Sequence, residues 1–187
     1  MNTMRKKLSF CLIGVCIFLQ AGCAMEEKPA PQNAVSETPP EMVIVPDVMV
    51  ACLIDAGKIQ YVADAKGTDA WQTPEETVRL GKGDCEDICI YLQDLLRRRG
   101  IEVDVVFGLK TRYHKHGHCW CEYEQDGETY VIEPRTNAFY RRSRLPDFLY
   151  VRVDDVDVVE EKVRAYHDRT GVWVSKAYRK RIEAKKK

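Results

Sequence analysis

A thiol becomes a nucleophile when its thiolate is stabilised, and the first turn of a helix offers both unpaired backbone N–H groups and a favourable dipole. Cys85 stands at such a turn: it follows Gly81-Lys82-Gly83-Asp84, and Asp84 is a suitable cap for a helix running to Arg99. The two glycines let the loop approach closely, and the amide of Cys85 itself can face an oxyanion. Position alone leaves a second reading open, in which Cys85 is a small buried apolar side chain. A partner base decides between them.

All four histidines lie in the second half of the chain, three of them in His114-Lys115-His116-Gly117-His118 just ahead of a strand. His118 is the one that falls on regular structure. There it shares a face with Trp120, which can cover the imidazole and exclude water, while Cys119 and Cys121 point to the other side. His114 and His116 belong to the loop and are fallback bases. An imidazole that moves protons needs a third group to hold its tautomer. Glu133 ends the strand that pairs with that of His118 across an Asp126-Gly127 turn, and is placed to do this. Asp84, Glu86 and Asp87 suit a helix start, but negative charge raises the pKa of a neighbouring thiol. Their carboxylates are therefore expected to point away from the sulfur.

Holding these groups in place takes helices first and a sheet after them. Val48 to Tyr61 is apolar enough for a buried helix, with a strand open as an alternative after Gly57. Thr73, Pro74 and Glu76 form a capping box with proline at the first helical position, and Gly81 stops the short helix that results. In the helix opened by Cys85, the residues Ile88, Cys89, Leu92, Leu95 and Leu96 recur at helical spacing and face the core. Beyond Gly100 the period changes to two, with Val103, Val105 and Phe107 on one side of a strand ending near Lys110. Strands follow at His118–Glu124, Thr129–Glu133 and Phe148–Val153. The charged remainder predicts a helix over Val158–His167 and a basic frayed end. The fold class is α+β.

Trp71-Gln72-Thr73-Pro74-Glu75-Glu76, then Gly81-Lys82-Gly83-Asp84-Cys85-Glu86-Asp87 and a helix ending at Gly100, resemble the core of the transglutaminase-like superfamily, including its bacterial cysteine peptidase branch. His118-Cys119-Trp120 is similar to the second motif of that family and Val131-Ile132-Glu133-Pro134 to the third, so the resemblance covers about residues 61 to 135. It implies a papain/transglutaminase-like core with the nucleophile at a helix N-terminus packed on an antiparallel sheet. By the same resemblance Cys85 is the nucleophile, His118 the base and Glu133 the orienting acid. The family usually carries aspartate at this last position; Asn137 is a nearby substitute. The implied chemistry is acyl transfer through a thioester. Peptide or isopeptide hydrolysis comes ahead of protein-crosslinking transamidation, because no second-substrate site is visible. Trp71 either supplies an indole N–H to the oxyanion or walls the site, and walling is the commoner use of a tryptophan.

The chain opens with Arg5, Lys6 and Lys7, and an apolar run from Leu8 to Leu19 that is too short to span a bilayer. Leu19-Gln20-Ala21-Gly22-Cys23 resembles the bacterial lipoprotein cleavage box. The expected organisation is a signal peptide over 1–22, a lipidated Cys23 with a flexible Pro-rich tether over 23–46, and a domain over 47–187 with a charged tail. Loss of the signal removes three of the 29 positive charges and none of the 29 negative ones. The resulting mild acidity argues against a nucleic-acid partner. The expected partners are a protein or peptide substrate in the cell envelope and a membrane held through the lipid, with the protein a monomer facing the periplasm or the exterior.

Two rivals remain open. Cys85, Cys89, His116, His118, Cys119 and Cys121 offer zinc ligands, but Cys85 and Cys89 are a helical turn apart and Cys119 and Cys121 lie on a strand, which is not the Cys-x-x-Cys spacing of structural zinc sites. A non-catalytic peptide-binding module with the same fold is the other. Some peptidases of the superfamily need calcium, yet Asp47, Asp55, Asp64 and Asp69 read as scattered solvated acids, so neither metal nor cofactor is assigned. Arg141, Arg142 and Arg144 are suited to recognising an acidic substrate, but a solvated basic loop is the commoner reading of such a cluster.

Overall fold

The computed structural model describes residues 45–65 and 68–187. The signal expected over 1–22, lipidation at Cys23 and the tether up to residue 44 lie outside the described residues. Val45 already packs against the core, and Pro46 leads into the first helix, α1 (Asp47–Ala56). Met49, Cys52, Leu53 and Ala56 form the buried stripe of α1. The helix ends there, and the chain continues into a two-residue strand β1 (Gln60–Tyr61). The structure thus takes the alternative with a strand after Gly57.

In α2 (Pro74–Leu80) the capping box forms as its residues dictate. Glu76 donates its backbone N–H to Thr73 Oγ1 at 3.2 Å, and the Thr73 N–H donates to the Glu76 carboxylate at 2.7 Å. Gly81 closes the helix at φ +64°, a left-handed conformation that favours glycine. The next two residues, β2 (Lys82–Gly83), pair in parallel with β1, so Tyr61 lies beside Gly83 at the entrance to α3 (Cys85–Arg97).

Five strands form the main sheet: β3 (Val103–Thr111), β4 (His118–Gln125), β5 (Glu128–Glu133), β6 (Ala138–Arg141) and β7 (Leu149–Arg152), in the order β6-β5-β4-β3-β7 and antiparallel throughout. Strand β6 lies where the sequence suggested a loop. It is followed by a single 3-10 turn at Arg142–Arg144, so the basic cluster is structured; Arg142 donates to the carbonyls of Leu149 and Tyr150, both at 3.0 Å. One face of the sheet carries α3: Ile88, Cys89, Leu92 and Leu96 pack on Val103, Val105, Phe107, Cys119, Cys121 and Ile132. Each fully buried aliphatic side chain contributes about 1.5–3 kcal/mol, so this stripe outweighs any single cap, worth about 1 kcal/mol, in holding the helix. The other face has a smaller cluster of Val106, Trp120, Val131 and Tyr150.

The C-terminal stretch is more ordered than its charge suggests. Helix α4 (Asp157–Thr170) is followed by α5 (Lys176–Ala184), in place of the expected frayed end. Val163, Tyr166, Val174, Tyr178 and Ile182 join the main core, and Gln93 of α3 donates to the carbonyls of Val103 at 2.9 Å and Val174 at 3.0 Å. The charges that made α5 look solvated form an ion cluster instead: Arg181 and Lys185 both grip Glu160 of α4. The architecture is α+β, with helices packed on an antiparallel sheet.

Candidate active site

Cys85 is the first residue of α3, its amide among the N–H groups that no helical carbonyl satisfies. Asp87 holds this turn from within: one carboxylate oxygen accepts from the backbone N–H of Gln72 at 2.7 Å and the other from that of Asp84 at 3.3 Å. Asp87 is 1% exposed and burial lifts its pKa to about 6. A Cβ on Gly83 would stand 2.6 Å from that of Asp87, so the glycine permits the close approach that its place in the loop suggested. The tie from Asp87 to the Trp71-Gln72 segment was not visible in sequence, where Asp87 read only as a helix-start acid.

Cys85 and His118 line one cavity of about 630 Å³. His118 opens β4, and its Nε2 lies 2.6 Å from Glu133 Oε2 at the end of β5. Glu133 is 1% exposed, and Lys110 Nζ approaches the same oxygen at 3.4 Å. The hydrogen bond and charge of His118, with Lys110, hold the Glu133 carboxyl below its ordinary range despite the burial that opposes them. With Nε2 committed to Glu133, Nδ1 is the ring nitrogen left for the thiol. Trp120 lies beside the imidazole at 6.2 Å between ring centroids, on the face opposite Cys119 and Cys121, as strand alternation requires. Its indole N–H donates to Glu122 at 2.9 Å.

The sulfur has an acidic neighbour that sequence reasoning placed elsewhere. Glu86 does not point away: the Cys85 thiol donates to its Oε2 at 3.1 Å. Burial, and then the Glu86 charge, push the thiol pKa well up, with the backbone of Cys119 working in the other direction. Glu86 is itself desolvated and stands beside Asp84, which together lift its pKa to about 9. At neutral pH it carries its proton and removes most of its charge from the sulfur. Asp64 and Asp69, expected as solvated acids, line the same cavity. Asp64 accepts from the backbone of Ala70 at 2.7 Å. Asp69 is held at one oxygen by the Trp71 indole N–H at 3.1 Å and at the other by Lys162 of α4 at 2.7 Å. Trp71 therefore gives its N–H to Asp69 and walls the site, stacked on Phe107 at 5.0 Å.

Carboxylate oxygens are the donors that calcium takes. Among the described residues no group of three or more His, Cys, Asp or Glu side chains is placed to hold a metal ion. Cys89, Cys119 and Cys121 are buried free thiols with pKa values raised by burial and by one another. His114 and His116 stay exposed in the loop before β4. Asn137 sits at φ +51° between β5 and β6, away from His118 and beside Gly57, so it does not replace Glu133.

Residues 50–132 match the transglutaminase-like superfamily. This stretch is similar to the core of that superfamily. It contains Cys85 and His118 and stops one residue short of Glu133. Among solved structures the chain is similar to Legionella pneumophila LapG in its calcium-bound form, with 18% identity, a TM-score of 0.48, and coverage of 54% of this chain and 60% of that one. The EGTA-treated LapG matches with the same identity and TM-score, over 55% of this chain and 59% of the other. The chain thus spans about 60% of the length of these structures. No curated protein matches it.

Tyr150 went unnoticed in the sequence. It stands in β7 at φ +49°, a conformation that costs a bulky residue about 1–3 kcal/mol, and its ring lies 6.4 Å from His118 and 5.5 Å from Trp120.

Proposed function

We propose that this protein is a cell-envelope cysteine enzyme that hydrolyses peptide or isopeptide amide bonds through a thioester on Cys85. The observation that carries the reading is the Glu133–His118 pair opening onto the cavity that Cys85 lines. Catalysis requires the thiol to turn from Glu86 toward Nδ1 of His118, which takes the proton as the sulfur attacks the amide carbonyl. The tetrahedral oxyanion would be met by the Cys85 amide at the start of α3. His118 then gives its proton to the departing amine, and water resolves the thioester with His118 as base. Glu133 holds the tautomer and offsets the imidazolium charge.

In this reading the sequence before residue 45 supplies export and a lipid on Cys23, which would tether the domain at a membrane surface as a monomer. Transamidation differs only in the nucleophile that resolves the thioester. The Glu86 hydrogen bond to the thiol favours a second reading, a peptide-binding module without turnover, because it stabilises the neutral sulfur. Alkylation by iodoacetamide at pH 7 separates the two. The enzyme reading expects Cys85 to be modified well ahead of Cys52, Cys89, Cys119 and Cys121, with alkylation abolishing turnover of a fluorogenic peptide mixture. Labelling of Cys85 no faster than that of an unfolded thiol, with no hydrolysis lost in Cys85→Ala, overturns it.

A further inference from the structure

The register between β3 and β7 runs through Leu109↔Val151 and Thr111↔Leu149 but omits the position between them, where Tyr150 stands opposite Lys110. Tyr150 breaks the ladder because its backbone is left-handed, at φ +49°. The other non-glycine residues with positive φ among those described, Asp126 and Asn137, belong to types that tolerate it; a tyrosine inside a strand does not. Something must hold it there. Arg142 does so from outside, by donating to the Tyr150 carbonyl at 3.0 Å. From inside, the ring is 4% exposed and packs on His118, on the edge of Trp120 and on Tyr140.

The irregular pair turns both its members toward one carboxylate. Lys110 Nζ reaches Glu133 Oε2, the oxygen that also takes His118. Glu133 Oε1, on a side chain 1% exposed, makes no well-aligned hydrogen bond among the described residues, and the Tyr150 phenol is the donor within reach of that carboxyl. The phenol stands close enough that the Glu133 charge, after burial, raises its pKa. A buried carboxylate oxygen without a partner is costly, and the phenol is the donor beside it.

We infer that Tyr150 is a positioning residue, held in a strained backbone so that its hydroxyl donates to Glu133 Oε1 and fixes the carboxyl against His118. The inference rests on the proposed pairing of Cys85 with His118. Glu133 is then gripped at one oxygen by Tyr150 and at the other by His118 and Lys110. The Tyr150 ring packs near the imidazole together with that of Trp120.

The test reads the pH dependence of Cys85 alkylation by iodoacetamide in the full chain, which needs no substrate. The charged and titratable groups around the pair are Lys110, Glu133 and Tyr140 on the sheet and Asp84, Glu86, Asp69 and Lys162 around the sulfur; all stay unchanged in Y150F. Phenylalanine keeps the ring and its packing, so circular dichroism and the melting temperature should stay near those of the wild type. A loosened Glu133 supports the imidazolium less well, and the thiolate forms at higher pH. We expect Y150F to slow alkylation about threefold or more at pH 6–7 and to leave it within about twofold at pH 10. E133Q should show the same change in larger measure, and Y150F/E133Q should match E133Q alone. A Y150F profile equal to wild type, or a double variant in which the two effects add in full, overturns the role of Tyr150. If E133Q itself leaves the profile unmoved, the pairing of His118 with Glu133 fails as well.

Discussion

Glu133 reaches His118 across a diagonal of the sheet. The β4–β5 register pairs Cys121 with Ile132, which puts Glu133 opposite Trp120 and two residues out of step with His118. Both lie on the same face, and diagonal neighbours are roughly 7–8 Å apart at the backbone. The carboxyl nonetheless stands 2.6 Å from Nε2. The length of the glutamate side chain closes this gap.

Shortening that arm should therefore matter even though the charge is kept. Glu133→Asp is expected to lower kcat/KM on a hydrolysed peptide by roughly tenfold, and His118→Ala by about 100-fold or more, the scale of a lost acid–base group. Steady-state kinetics at pH 7 checks both. An aspartate variant as active as the wild type would show that the diagonal reach is not needed.

Trp71 separates walling from oxyanion stabilisation. Its N–H is donated to Asp69, so Trp71→Phe should keep kcat within a few-fold, whereas loss of an oxyanion donor would cost about 10²–10³. Trp71→Ala removes a ring packed on Phe107 and Tyr166 and should cost about 3–5 kcal/mol in urea unfolding.

Gly108 stands in register with both His118 and Arg152, between β4 and β7. A Cβ there would meet the carbonyl oxygen of Val151 at 2.1 Å and the Trp120 ring at 2.8 Å. Gly108→Ala must push β7 outward, and overpacking of this kind costs about 1–3 kcal/mol. The melting temperature should fall, and Tyr150, the neighbour of Val151, should lose its hold on the imidazole side of the sheet.

Glu86 makes stability depend on pH in an unusual direction. Its folded pKa of about 9 lies above that of an exposed glutamate, so between roughly pH 4.5 and 9 the folded state holds a proton that the unfolded chain has released. Stability falls as pH rises through that window. Asp87 and Asp104, each lifted to about 6 by burial, add to the loss over its lower part. Glu86→Gln mimics the protonated form and should raise the melting temperature at pH 8 more than at pH 4. Equal gains at both pH values would mean that Glu86 is ionised in the fold.

Local signals carried much of this arrangement. The capping box at Thr73, the cysteine after Gly83-Asp84 and the turn at Asp126-Gly127 depend on neighbours in sequence, and they stand where the residues indicate. What escaped is what long-range packing decides. Asp69 is exposed, as its type suggests, yet it pairs with Lys162, far along the chain. Helix α5 reads as a basic tail because its partners, Glu160 and the core around Tyr178, are distant in sequence. Tyr150 carries no local sign of its backbone strain, since a tyrosine in a strand is ordinary.

The cavity is lined by residues from distant parts of the chain. Cys85, His118, Tyr61, Asp64 and Asp69 line it, and so do Val153, Val156, Val158, Val159 and Lys162, beyond the end of the matched stretch at residue 132. A fragment cut after β5 would retain Cys85, His118 and Glu133 and lose the part of the cavity lining that α4 and the segment before it contribute. The lining around Cys85 and His118 and the lining contributed by Val153 to Lys162 are thus carried by separate stretches of the chain.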